Sequence, residues 1–381
     1  MPSPSQRWDI FCTVVDNYGD AGIAWRLART LRREHGLTVR LYVDALPTLA
    51  RLAPGVDVAR EAQRREGVDI RAWRGPHARF PRASPGAVVI EAFGCGLPAS
   101  YLEAMAARGK PPVWINLEYL SAETWIEDCH GLASRHPTLP LTRHFFFPGF
   151  TPESGGLLRE RDLIARRDAF RADAGARAAF WRGLGVNPPE RSSTVSLFCY
   201  PSAPVADLLD AWSTAEPMFC IVPEGVAEAT LADWARGAAA ARTLSRGSLT
   251  VARVPFIPQD DYDRVLWACD MNFVRGEDSF VRAQWAERPL AWHAYPQTEN
   301  AHRLKLDAFL DRYTAGLPEG AALALRAFAH AWNGGGDVGR AWKALDAGRP
   351  ALTAHARAWA AKLAETADLA TTLVKFCLDR I

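Results

Sequence analysis

Long hydrophobic runs are missing from this chain of 381 residues: no apolar stretch approaches the ~18 residues of a membrane-spanning helix, so none is expected. The first residues, MPSPSQRWDIF, lack a basic segment followed by a long apolar one, and no secretory leader is expected. A charge of one sign is missing too. With 45 basic against 43 acidic residues the formal charge is +2, which gives no prior for nucleic acid or an anionic membrane as partner. No C-x-x-C pair occurs among the 7 widely spaced cysteines, and Cys12, Cys199 and Cys220 sit in apolar runs where a buried free thiol is expected. A reduced, soluble, cytoplasmic protein follows. Neither H-E-x-x-H nor a Cys/His cluster of zinc spacing is present, and there is no G-x-S-x-G elbow, which weakens metal and serine-hydrolase readings. What is present is a globular composition, 49% hydrophobic and 23% charged, long enough for two domains. The 14 tryptophans are scattered through both halves and argue for large cores.

The first half alternates strand and helix signals. WDIFCTVV, LTVRLYVD, AVVIEAF and PPVWINLEYL read as strands. Helical spacing of Ala24, Leu27, Ala28 and Leu31 follows the first, with Gly36 as its stop, and ASYLEAMAARG lies between the last two. Nearly continuous apolar strands in β–α–β order imply a parallel sheet covered on both faces. Residues 151–191 are rich in charge, Gly and Pro and carry no strand signal; they are assigned as a partly helical connection between domains. STVSLFCY, MFCIVPE, LTVARVPF, MNFV and LAWHAY then restart the alternation, and beyond residue 298 the signals are helical only. The expected architecture is α/β: a doubly wound domain at 1–150, a second at 192–365, and a helix at 366–381 that is a candidate to fold back on the first domain. Ligands of such folds sit at the carboxyl ends of the strands.

Three segments could carry chemistry. VVDNYGDAGIAWRLA, residues 14–28, places Asp16, Gly19, Asp20 and Gly22 between the first strand and first helix. Turn formation or helix capping explains one such Asp; two carboxylates at a ligand edge weaken that explanation. The spacing is neither G-x-G-x-x-G nor a P-loop, and two acids repel phosphate, so a cationic or proton-donating ligand is favoured. In MNFVRGEDSFVRAQWAERPLAWHAYPQ, Gly276 permits a tight turn and GEDS opens a helix bearing Phe280, Ala283 and Gln284. Its first N–H groups, with Arg275, suit a diphosphate. A plain cap by Asp278 or Ser279 is compatible with this, whereas Glu277 has no obvious capping duty. In VPFIPQDDYDRVLWACD, Asp261 and Asp263 form a D-x-D of the kind metal-dependent sugar transferases use. They open an amphipathic helix, however, where the dipole favours Asp, and capping outweighs metal binding.

DNYGDAG, together with FVRGEDSFVRAQWAERPLAWHAYPQ, VWINLEYLSAETWIEDCHGL and HFFFPGF, closely resembles the elongation factor P arginine rhamnosyltransferase family, over essentially the whole chain. The resemblance implies an inverting GT-B glycosyltransferase, two Rossmann-like domains facing a cleft. It implies transfer of L-rhamnose from dTDP-β-L-rhamnose to one arginine of elongation factor P, without metal or other cofactor, by a monomer. Carried over by position, Asp16 and Asp20 are the acceptor-side acids with Asp20 the favoured base, and Glu277 is the essential glutamate. Donor contacts fall on Asn17, Tyr18, Gly19, Tyr200, Phe256, Ile257, Gln259, Arg275, Gly276, Asp278 and Ser279. The alternatives are a GT-B enzyme with another nucleotide sugar or a small-molecule acceptor, and a binding module without chemistry; retention of Asp16, Asp20 and Glu277 speaks against the last.

Overall fold

In the computed structural model, which describes residues 7–16, 18–77, 80, 83–235, 241–297 and 301–381, the chain divides into two units. One comprises Met1–Arg161 with Ala364–Ile381, the other Asp162–Leu363. The division thus falls after Arg161 rather than across a connection spanning 151–191. Most of that charged segment belongs to the second unit, where it supplies two helices, Leu163–Ala172 and Ala174–Gly183.

The first unit holds β1 (Arg7–Cys12), β2 (Thr38–Val43), β3 (Ala62–Arg65), β4 (Val68–Ala72), β5 (Val88–Ala92), β6 (Val113–Leu117), β7 (Ala133–Arg135) and β8 (Thr142–Phe146), in one sheet of order β3-β4-β2-β1-β5-β6-β8-β7. From β4 to β8 every pairing is parallel, while β3 and β7 are antiparallel edges. β5 and β6 are buried at every residue, as strands covered on both faces must be. The edges β3 (AQRR) and β7 (ASR) carry charge instead, which blocks strand addition but also removes the apolar signal by which a strand is recognised.

Helix Tyr18–Glu34 follows β1. Amphipathic spacing predicts a single buried stripe, yet every residue from Asp20 to Leu31 is buried. The sheet covers one side, and helix Leu369–Leu378 contributes Leu369, Ala370, Leu373, Val374 and Cys377 to the same core as Ala24, Leu27, Ala28 and Leu31. The buried Arg26 is tolerated because its Nη1 reaches Glu160 at 3.1 Å.

The second unit holds β9 (Ser193–Leu197), β10 (Met218–Pro223), β11 (Thr243–Arg246), β12 (Leu249–Val254), β13 (Met271–Arg275) and β14 (Leu290–His293), ordered β11-β12-β10-β9-β13-β14. All pairings are parallel except the polar edge β11. Behind β13, Phe273 packs edge-on against Trp212 and Trp332, with ring centroids at 5.4 and 5.0 Å, so the tryptophan excess does serve a core. In each sheet the chain order reverses beside the first strand, between β1 and β5 and between β9 and β13. Ligands of doubly wound sheets bind outside the carboxyl ends at such switch points. Among the described residues no helix is long and apolar enough to cross a membrane.

Candidate functional site

At the carboxyl end of β1 the chain turns sharply into helix Tyr18–Glu34. Asp20 is only 1% exposed, and its Oδ2 accepts the backbone N–H groups of Val15 and Asp16, both at 2.8 Å. It therefore folds the loop back over the helix start instead of capping the helix end-on. The Gly19 N–H donates to the Asp16 carbonyl at 2.6 Å, and a Cβ added at Gly19 would lie 2.8 Å from Asp16 Oδ2. The glycine is the space in which the Asp16 carboxylate sits. The Val14 N–H donates to Asp44 at 2.9 Å, and the Cys12 carbonyl accepts Trp73 Nε1 at 3.0 Å, which anchors the start of the loop. Tyr18 opens the helix with the Arg51 guanidinium 5.9 Å from its ring centroid. Asn17 lies outside the described residues. Asp16, Tyr18, Gly19 and Asp20 thus form one group in the first unit.

A second group gathers in the second unit, where β9, β12, β13 and β14 all end on one edge of the sheet. β13 ends at Arg275, and Gly276 takes φ +60°, a left-handed turn that a side chain would strain. Helix Asp278–Trp285 begins beyond it. Glu277 holds the cap position without making a side-chain capping bond. The expectation that Asp278 or Ser279 caps this helix is corrected by the geometry. Ser279 Oγ donates to the Arg275 carbonyl at 2.5 Å and accepts its N–H at 3.2 Å, closing the turn. Asp278 Oδ2 accepts Gln259 Nε2 at 2.9 Å. Trp292 braces the same turn, donating Nε1 to the Gly276 carbonyl at 2.8 Å while its ring stacks on Phe280 at 4.1 Å.

Arg275 lies over two rings, 4.3 Å from the Phe198 centroid and 4.8 Å from that of Tyr200, and donates to the Cys199 carbonyl at 3.1 Å. The guanidinium is held over the residues that follow β9, and it brings positive charge to the strand end from which the helix Asp278–Trp285 departs. Phe256 is half-buried in the loop after β12, and Ile257 packs into the core with Phe219, Ile221 and Val265, which holds its backbone in place. Gln259 starts helix Gln259–Ala268 and is buried. The helix-start role expected of the D-x-D pair holds for Asp261, which stands in the first turn, and is corrected for Asp263. Asp261 pairs with Arg264 at the surface, whereas Asp263 is buried in a two-pronged pair with Arg282, at 2.9 and 2.6 Å. Among the described residues no group of three or more His, Cys, Asp or Glu could hold a metal ion.

Two participants escape a sequence reading. Phe198 looks like one more apolar strand residue in STVSLFCY, and His293 like a core histidine in LAWHAY. In the fold, His293 Nδ1 accepts the Tyr200 N–H at 3.2 Å, which fixes the backbone that carries Tyr200. Burial, with His302 and Arg275 nearby, pushes the imidazole down to about 4, so it is neutral at pH 7. Burial likewise pushes the Cys199 thiol up to about 12, so this neighbouring cysteine is no nucleophile.

The two doubly wound, mostly parallel sheets have the architecture of the GT-B class of glycosyltransferases. A solved structure described as the structural basis for EarP-mediated arginine glycosylation of translation elongation factor EF-P matches 99% of this chain and 100% of that one, at TM-score 0.70 and 39% identity. MurG of Acinetobacter baumannii, 13% identical at TM-score 0.50, shares the fold alone. The family model described as elongation-factor P (EF-P) rhamnosyltransferase EarP matches residues 8–378. The chain is 52% identical to the protein-arginine rhamnosyltransferase of Pseudomonas putida over 372 residues, 97% of this chain and 98% of that one. It is 48% identical to the Pseudomonas aeruginosa protein of the same name over 375 residues, 98% and 99% of the two chains. This chain belongs to the EarP family of elongation factor P rhamnosyltransferases.

Proposed function

We propose that this enzyme transfers L-rhamnose from dTDP-β-L-rhamnose to one arginine side chain of elongation factor P, with inversion and without a metal. The observation that carries the proposal is the paired carboxylate loop after β1: Asp20 tied down by two backbone N–H groups and Asp16 seated over Gly19. Free arginine has a pKa of about 12.5–13.8, so a neutral guanidine at pH 7 costs on the order of 7.5–9 kcal/mol. Two fixed carboxylates lower that demand by holding the cation and accepting its proton only as the new bond forms. Asp16 orients the guanidinium. Asp20 is the base, through Oδ1, because both backbone donors fall on Oδ2.

A guanidinium nitrogen attacks C1 of the sugar on the face opposite the diphosphate. The C1–O bond breaks, its electron pair leaves with dTDP, and the nitrogen's proton passes to Asp20. The departing charge meets the helix start at 278–280 and Arg275, which supply the electrostatic stabilisation a metal would otherwise give. Tyr200, Phe256, Ile257 and Gln259 take the nucleoside side, and Asn17, Tyr18 and Gly19 the sugar end; Glu277 acts on the ribose or sugar. The proposal includes a monomeric enzyme working in the cytoplasm, where translation factors act.

The test is product analysis after incubation with elongation factor P and dTDP-β-L-rhamnose in EDTA. Peptide mapping with NMR of the anomeric carbon is expected to find α-linked rhamnose on one arginine. A β-linked product, another acceptor residue, or loss of reaction in EDTA would overturn the corresponding part.

A further inference from the structure

The two helices that carry donor-side residues, Gln259–Ala268 and Asp278–Trp285, are joined at successive levels with one offset, 19 residues. At their starts Gln259 Nε2 donates to Asp278 at 2.9 Å. One turn further on, Arg282 donates from Nε and Nη2 to Asp263 at 2.9 and 2.6 Å, both residues being at most 2% exposed. At the far ends Arg171 donates to the carbonyls of Trp267 and Ala286, a pair with the same offset, and Arg167 donates to that of Trp285. Glu287 joins the two arginines, at 2.8 Å from Arg167 and 3.2 Å from Arg171. The helices therefore run side by side in one direction, with their positive ends together.

That arrangement opposes the helix dipoles' own preference, since like ends repel. Cationic caps on both negative ends offset part of the cost. A buried ion pair is not needed for packing, because an apolar pair of equal volume stabilises as well or better. What a bidentate Arg–Asp pair adds is geometry: it fixes the axial register of one helix on the other. We propose that Asp263 and Arg282 are positioning residues for the donor. They hold the thymine-side segment 256–259 and the diphosphate-side turn 276–279 at one spacing, so that a nucleoside diphosphate spans both while a nucleoside engages one. This rests on the dTDP-sugar reading above.

The test compares dTDP with thymidine, by calorimetry and saturation-transfer NMR, on the wild-type chain, Arg282→Lys, and the double variant Asp263→Leu/Arg282→Met, with thermal melting as the folding control. A ligand that bridges two elements gains from their fixed spacing, whereas one that touches a single element does not. The double variant, which leaves no unpaired buried charge, is expected to lose dTDP affinity by about tenfold or more with thymidine affinity within about twofold of wild type. Arg282→Lys, which keeps the charge and loses the fork, is expected to show the same split to a smaller degree. Equal losses for both ligands, unchanged dTDP affinity in a folded double variant, or failure of both variants to fold would overturn the positioning role. A wild-type chain that binds thymidine and dTDP equally, or neither, would remove the donor reading itself.

Discussion

At the scale of single residues, the position of Asp16 is decided by a Cβ that is not there. Gly19→Ala would bring a methyl to 2.8 Å from Asp16 Oδ2, and the carboxylate, at the far end of a flexible side chain, would shift. Alanine is also the better helix former by roughly 0.5–1 kcal/mol. The variant is expected to melt no lower than wild type while turning over on the order of 10–100-fold more slowly; a normal rate would show that Asp16 does not orient the acceptor. Asp20→Asn is expected to reduce kcat by ~10²–10⁴-fold with dTDP affinity unchanged, and a loss confined to dTDP binding would contradict its role as base. His293 gives a pH test. Its folded value of about 4 lies below that of the unfolded chain, near 6.5, so the unfolded state binds the proton first. Stability from this group is present above pH 6.5 and falls as pH drops towards 4, by up to about 3 kcal/mol. His293→Asn, which keeps an acceptor for the Tyr200 N–H, is expected to flatten the melting temperature across that window; an identical profile would reject the assignment. The two acids were legible in the sequence because their charge excludes phosphate whatever the fold. Gly19 was legible as a turn glycine but not as the space for Asp16, and Phe198 and His293 were not legible, because these roles are contacts that exist only in the fold.

Among the elements, the parallel strands were legible and the antiparallel edges were not, for one reason. Apolar runs such as VVIEA mark strands buried on both faces, whereas AQRR, ASR and TLSR are strands only because a neighbour supplies the ladder. The D-x-D motif shows the same limit. Position in a helix suggested capping for both residues, yet Asp263 faces inward, and its partner is Arg282, 19 residues away. The terminal helix Leu369–Leu378 was legible as a helix and as a candidate to fold back on the first domain, but not its particular seat on Tyr18–Glu34, where Leu373 is completely buried. Leu373→Ala is expected to cost about 2–5 kcal/mol, read as a lower urea midpoint. A change below about 0.5 kcal/mol would mean that the helix is not part of that core.

For the whole molecule, two doubly wound sheets were legible as a repeated β–α–β order, and the chain's division after Arg161 places most of the charged segment 151–191 in the second unit, to which it supplies two helices. Fold and family define a glycosyltransferase; the proposed function assigns a cationic acceptor to the acidic loop and a diphosphate donor to the helix-terminal turn. The most direct measurement is the intact mass of elongation factor P after incubation with dTDP-β-L-rhamnose and either the wild-type chain or Asp20→Asn. The account predicts a single added deoxyhexose, located on arginine, with the wild-type chain and a greatly slowed gain with the variant. An unmodified factor with the wild-type chain, or equal modification by both, would contradict it.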